Sequence, residues 1–87
     1  MTQDQFAQML GFADYEKLIQ ESEPVIREGD VTWYVTKLPD GRWAAWDEWE
    51  LAPDRVMRFY TRGEAIAFHL GAHVAYVERC RQEQEEE

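Results

Sequence analysis

The sequence predicts an α+β fold: a short N-terminal helical segment, a three-stranded antiparallel β-meander and a C-terminal α-helix packed on the sheet. Three observations carry this expectation. Apolar residues recur at helical spacing near the start, as Phe6, Met9 and Leu10 and again as Tyr15, Leu18 and Ile19. The run VTWYVTKL, Val31 to Leu38, is β-branched and aromatic and leads into PDGR, Pro39 to Arg42, a turn sequence. After Thr61 a helical pattern continues to about Arg81.

Each element has a local reason. Thr2 and Gln5 are spaced as a capping box for the first helical stretch. Gly11 is a natural C-terminal stop, and Asp14 can cap a second stretch. Together they predict a small helical hairpin or one bent helix, ended by Pro24. Pro39 presets φ, and Asp40-Gly41 tolerates the positive φ of a tight hairpin. Val31–Leu38 should therefore pair with Arg42–Leu51. Ala52 to Asp54 is the next turn, and Arg55–Tyr60 is the third strand. Thr61 and Glu64 repeat the capping-box spacing ahead of the last helix.

The 87 residues read as a single domain, residues 1–81, followed by an acidic tail, residues 82–87. So small a domain buries only about 60–65% of its unfolded surface. Twelve aromatic residues supply large rings in place of core volume. Cys80 is the only cysteine, so no intrachain disulfide can form, which fits a reducing compartment. There is no apolar run near 18 residues, and the first ten residues lack a basic signal-peptide region. The expectation is a cytoplasmic protein without membrane contact.

The net charge is −9, and it is unevenly laid out. Met1 to Asp54 holds twelve acids and four bases; Arg55 to Arg81 holds two acids and five bases; the tail adds four glutamates. Such a field attracts basic surfaces and repels bare nucleic acid, or simply serves solubility.

The stretch GRWAAWDEWEL, Gly41 to Leu51, concentrates three indoles and three carboxylates. Read as a strand, it puts Trp43, Ala45, Asp47, Trp49 and Leu51 on one face and Arg42, Ala44, Trp46, Glu48 and Glu50 on the other. The first set is expected beneath the helices, with Asp47 relieved by a bulge or by the open end of the sheet. Trp46 is expected to face solvent, either packed across the strands against Tyr34 or Arg58, or offered to a partner.

Nothing in the sequence carries a catalytic or cofactor signature. His69 and His73 are one helical turn apart, a spacing that can hold a metal, but no HExxH pattern accompanies them. Cys80 lies too far along the helix to join them and reads as a small buried hydrophobe. Asp47, Glu48 and Glu50 have no partner motif for acid–base work. The expectation is a protein that is not an enzyme and takes no cofactor or metal.

The segment DGRWAAW…RFYTRGEAIAF, Asp40 to Phe68, resembles the three-stranded-sheet-plus-helix DNA-binding domains of phage integrases and plant AP2-type factors. The likeness rests on the DG hairpin, the Arg-Trp opening the second strand, and a third strand leading through Thr61 into EAIAF; it covers about a third of the chain. It implies the topology above and a sheet face that carries basic residues to DNA. Here that sheet carries Asp47, Glu48 and Glu50, with Arg42, Arg55 and Arg58 as its basic residues.

The leading expectation is a small acidic module that binds a basic protein partner through Asp40, Trp46, Asp47, Glu48 and Glu50. A sharper form is a nucleic-acid mimic or inhibitor of the kind mobile elements carry. The alternative is direct nucleic-acid binding through Arg55, Arg58, Arg62, Arg79 and Arg81. The aromatic excess also suits homo-oligomerisation. The tail glutamates fall at the negative end of the last helix's dipole, where they are unfavourable. Deleting residues 82–87 should therefore leave the thermal midpoint unchanged or slightly raised; a large fall in a melting experiment would show the tail to be docked.

Overall fold

Three caps expected from the sequence fix the helix starts in the computed structural model, which describes residues 1–85, with side chains as far as Arg81. Helix α1, Gln3–Met9, opens on Thr2: the Gln5 amide donates to Thr2 Oγ1 at 3.1 Å, and the Thr2 amide donates to Gln5 Oε1 at 2.9 Å. Helix α2, Tyr15–Gln20, opens on Asp14, whose carboxylate accepts from the Lys17 amide at 2.9 Å. The two are separate helices turned on Gly11, which has φ +97°. A β-carbon there would stand 3.0 Å from the Pro39 ring, so only glycine fits this turn. Helix α3, Arg62–Glu85, opens on Thr61, which exchanges bonds with Glu64 in the same box geometry.

The sheet has four strands, not the expected three. Strands β1 (Ser22–Glu28), β2 (Val31–Lys37), β3 (Trp43–Asp47) and β4 (Met57–Phe59) run antiparallel in the order β1-β2-β3-β4. The extra strand is β1. Pro24 does not merely close the helical region; it sits within this edge strand, where its missing N–H leaves no ladder bond unmade. A bulge between Pro24 and Ile26 shifts the register, so that Ile26 faces Trp33 and Glu28 faces Val31. Strands β3 and β4 are shorter than expected. A 3₁₀ turn, Pro53–Arg55, occupies the start of the third expected strand.

Both faces of the sheet are covered. On one face α1 and α2 pack Phe6, Ala7, Leu10 and Leu18 against Leu38, Ala44, Trp46 and Val56. On the other, α3 brings Ala65 and Ile66 onto Val35, Ala45, Trp43 and Phe59. The expected alternation along β3 holds, since Ala44 and Trp46 share one face and Trp43, Ala45 and Asp47 the other. The expectation that Trp46 faces solvent is corrected. It is 1% exposed, because the face assigned to solvent lies under the N-terminal helices.

Trp46 is the centre of that layer. Its ring stacks on its cross-strand partner Tyr34 at 4.8 Å, tilts against Phe6 at 5.3 Å and meets Tyr15 edge-on at 6.2 Å. Its indole N–H donates to Thr36 Oγ1 at 2.9 Å. The hydroxyl of Ser22 donates to the Leu18 carbonyl at 2.6 Å, which uses its one proton. The 2.6 Å contact between Ser22 and Thr36 must then run from the Thr36 hydroxyl to Ser22 Oγ. The result is a one-way relay, Trp46 to Thr36 to Ser22 to Leu18, joining β3, β2, β1 and the end of α2.

Helix α3 is the longest element, 24 residues or about 36 Å. It runs through the boundary expected at Arg81 as far as Glu85, so the acidic tail begins within a helix; residues 86–87 lie outside the described residues. Only its first half lies on the sheet. Past His73 its side chains are exposed as far as Arg81, apart from half-buried Cys80, and the molecule extends to 48 Å along its longest axis.

The relay predicts a specific mutational asymmetry. Thr36→Val strands the buried Trp46 N–H and should lower unfolding free energy by about 1–3 kcal/mol. Thr36→Ser keeps the hydroxyl and should cost under about 1 kcal/mol. Urea unfolding checks both, and a valine variant as stable as the parent would show that the relay contributes nothing.

Candidate functional site

Strand β3 ends at Asp47 because that side chain captures the chain just beyond it. The Trp49 amide donates to Asp47 Oδ1 at 2.9 Å, an Asx-type turn that takes the backbone off the strand path. Trp49, expected in the core, is therefore 74% exposed. Asp47 stands at the open end of the sheet, one of the two placements that would relieve it. Its second oxygen, Oδ2, accepts from Arg55 at 3.2 Å, and Arg55 also approaches Glu50 at 4.0 Å.

The pairings Glu28↔Val31 and Trp33↔Asp47 bring four residues to one end of the sheet, on the face toward α3. There α3 passes above them. Its Tyr76 joins Glu28, Val31, Trp33, Asp47, Trp49 and Arg55 around an open cleft of about 360 Å³. That volume is at the low end of small-ligand sites. The walls are mostly aromatic and aliphatic, and two carboxylates and one guanidinium supply the charge.

The other expected partner residues divide. Glu48 is a structural carboxylate: it accepts from the Tyr34 hydroxyl at 2.9 Å and from the Thr32 amide at 3.3 Å, while its own amide donates to the Thr32 carbonyl. Burial and this carboxylate raise the Tyr34 phenol, and burial with Glu48 raises Tyr15 to about 12. Asp40 lies at the opposite end of the sheet, in the β2–β3 turn. Arg42 grips it with two side-chain bonds and one amide, which holds its carboxyl below the usual range. Of the five expected residues, the open end keeps Asp47 and Glu50 together. Trp46 is buried, Glu48 is turned toward Tyr34, and Asp40 is remote.

The arginines expected for nucleic acid do not assemble into one track. Arg62 forms a two-pronged ion pair with Glu23 that lowers the Glu23 carboxyl. Arg55 is held by Asp47 at the cleft. Arg58 is on β4 near Asp40, while Arg79 and Arg81 are exposed on the far half of α3. The exposed apolar residues Leu70, Val74 and Val77 lie on the same helix.

His69 and His73 bracket the Trp33 indole, at ring separations of 5.8 and 5.4 Å. His69 is buried, and its Nε2 lies 2.7 Å from the Tyr34 carbonyl. A carbonyl only accepts, so Nε2 carries the proton. His73 Nδ1 is buried with no hydrogen-bond partner among the described residues. Among those residues no group of three or more His, Cys, Asp or Glu is placed to hold a metal ion, and no helix is long and apolar enough to cross a membrane.

No protein-family model, curated protein or solved structure matches the chain. The site is therefore read from its own chemistry. Glu28, Val31, Trp33, Trp49 and Tyr76 were not among the residues expected from the sequence. The one local signal for them was Asp47 two residues before Trp49, the spacing of an Asx turn.

Burial lowers the His69 pKa, more than its bond to Tyr34 and the nearby Asp47 carboxylate raise it. Above the ordinary value of 6.5 the ring is neutral in folded and unfolded chains alike. Below it the unfolded chain takes up the proton first, so stability falls as pH falls through the depressed folded value. Melting midpoints should drop as pH falls below about 6.5. His69→Gln, which retains a donor for the Tyr34 carbonyl, should flatten that drop. Equal pH dependence in both proteins would contradict the assignment.

Proposed function

We propose that this chain is a small, non-enzymatic interaction module that binds a basic protein partner through the open end of its sheet. The observation that carries the reading is Trp49, 74% exposed, its backbone amide held by Asp47, at a cleft it shares with the carboxylates of Glu28 and Asp47. A large exposed ring beside carboxylates is a natural contact point, and Trp is among the residues most enriched at binding anchors. The carboxylates around it, with the net charge of −9, steer a basic surface toward it.

Nucleic acid as the direct ligand has less support. Phosphate recognition needs a concentrated basic footprint, and two of the five arginines are already engaged by Glu23 and Asp47. A nucleic-acid mimic remains a special case of the same proposal, in which the basic partner is itself a nucleic-acid-binding protein.

The test is affinity capture from host lysate with the parent protein and with a Trp49→Ala, Glu50→Lys variant. Both side chains are exposed, so the variant should keep the parent's melting midpoint. A basic protein held by the parent, released by salt and lost by the variant is the expected result. A partner retained equally by both would place the binding surface elsewhere.

A further inference from the structure

The cleft beneath α3 has a chemistry more specific than a general acidic surface. Its walls are Trp33, Trp49, Tyr76 and Val31, and its carboxylates are Glu28 and Asp47. Aromatic walls attract cations through the negative faces of their rings, most strongly for Trp. They also cover apolar stem atoms, which a carboxylate cluster in open solvent cannot do.

We propose that this cleft takes the side chain of a lysine from the basic protein partner, its methylene stem along the aromatic and aliphatic wall and its ammonium beside Glu28 and Asp47. The assignment rests on the reading of this end as the partner surface and narrows it to one side chain. Charge supports a cation: the lining holds two carboxylates against one guanidinium, with Glu50 close by on Arg55. The bonds already made favour ammonium over a second guanidinium. Each Asp47 oxygen has a donor, from the Trp49 amide and from Arg55, so Asp47 presents no open two-oxygen face for a planar fork. An ammonium, with three rotatable donors on a point charge, is satisfied by single contacts. The site is also built to keep its shape. Trp33 is braced by the His69 and His73 rings, and the backbone that carries Trp49 is held at its amide by Asp47.

The experiment uses the whole chain, ¹⁵N-labelled, titrated with a blocked glycine-rich peptide bearing one central lysine. Matched peptides carry norleucine or acetyl-lysine at that position. The indole N–H signals of the four tryptophans report the site. The lysine peptide should shift Trp33 and Trp49 saturably, leave Trp46 unmoved, and lose affinity as salt is raised. The norleucine and acetyl-lysine peptides should give no saturable shift. Trp49→Ala should weaken the lysine peptide by about three- to tenfold, while its dispersed spectrum shows the fold intact. Equal shifts from the lysine and norleucine peptides would overturn the proposal in favour of a plain apolar groove. No movement of Trp33 or Trp49, while a captured partner still depends on Trp49, would overturn the lysine assignment and leave the partner surface standing. No movement together with a partner indifferent to Trp49 would remove both.

Discussion

The buried indole of Trp46 and the relay that satisfies its N–H hold the rest of the molecule in register. An 87-residue chain has little apolar surface to spare, so a single large ring at the middle of a layer carries much of it. An indole cannot be buried without a partner for its nitrogen, because an unpaired buried donor is costly. Here the solution runs through two hydroxyls, each with one proton to give, and finishes on the last turn of α2. Because each hydroxyl is both donor and acceptor, the direction is forced, and β1, β2, β3 and α2 must take one relative arrangement to complete it. The ring itself meets Phe6 of α1, Tyr15 of α2 and Tyr34 of β2. The N-terminal helices are thus tied to the sheet by packing and by a polar thread together.

With one face closed by α1 and α2, α3 is left to cover the other, and it is far longer than the sheet it covers. That excess length forms the cleft. His69 anchors α3 at the Tyr34 carbonyl, His73 rests on Trp33, and Tyr76 reaches past the last residues of the strands. The two ends of the sheet then differ in kind. At the β2–β3 turn, charges are closed on each other, Asp40 with Arg42. At the β1–β2 end, Glu28 and Asp47 stand in an apolar, aromatic setting, with Arg55 between Asp47 and exposed Glu50.

What could be read from the sequence follows the range of the interactions involved. Thr2, Asp14 and Thr61 were legible as caps, and the DG turn as a hairpin, because each completes its bonds within a few residues. The alternation along β3 was legible for the same reason. Which of its faces meets solvent was not, since that depends on where α1 and α2 dock. Strand β1 was missed because Pro24 and its acids read as a break, and only its edge position makes them acceptable. The cleft needs Glu28 from that missed strand, Trp49 displaced by an Asx turn, and Tyr76 from the far half of α3. No local pattern joins those three. Asp47 and Glu50 were singled out for their charge, as neighbours of an outward Trp46; the structure sets them near Trp49 instead.

The most direct test of this account is the hydrogen-exchange rate of the four indole N–H groups, followed by NMR in deuterated buffer. Trp46, sealed between two layers and bonded to Thr36, should be the slowest, exchanging only when the domain opens. Trp49 should exchange at once. If Trp46 exchanged as fast as Trp49, the N-terminal helices would not be covering that face, and both the relay and the two-sided sheet would be wrong.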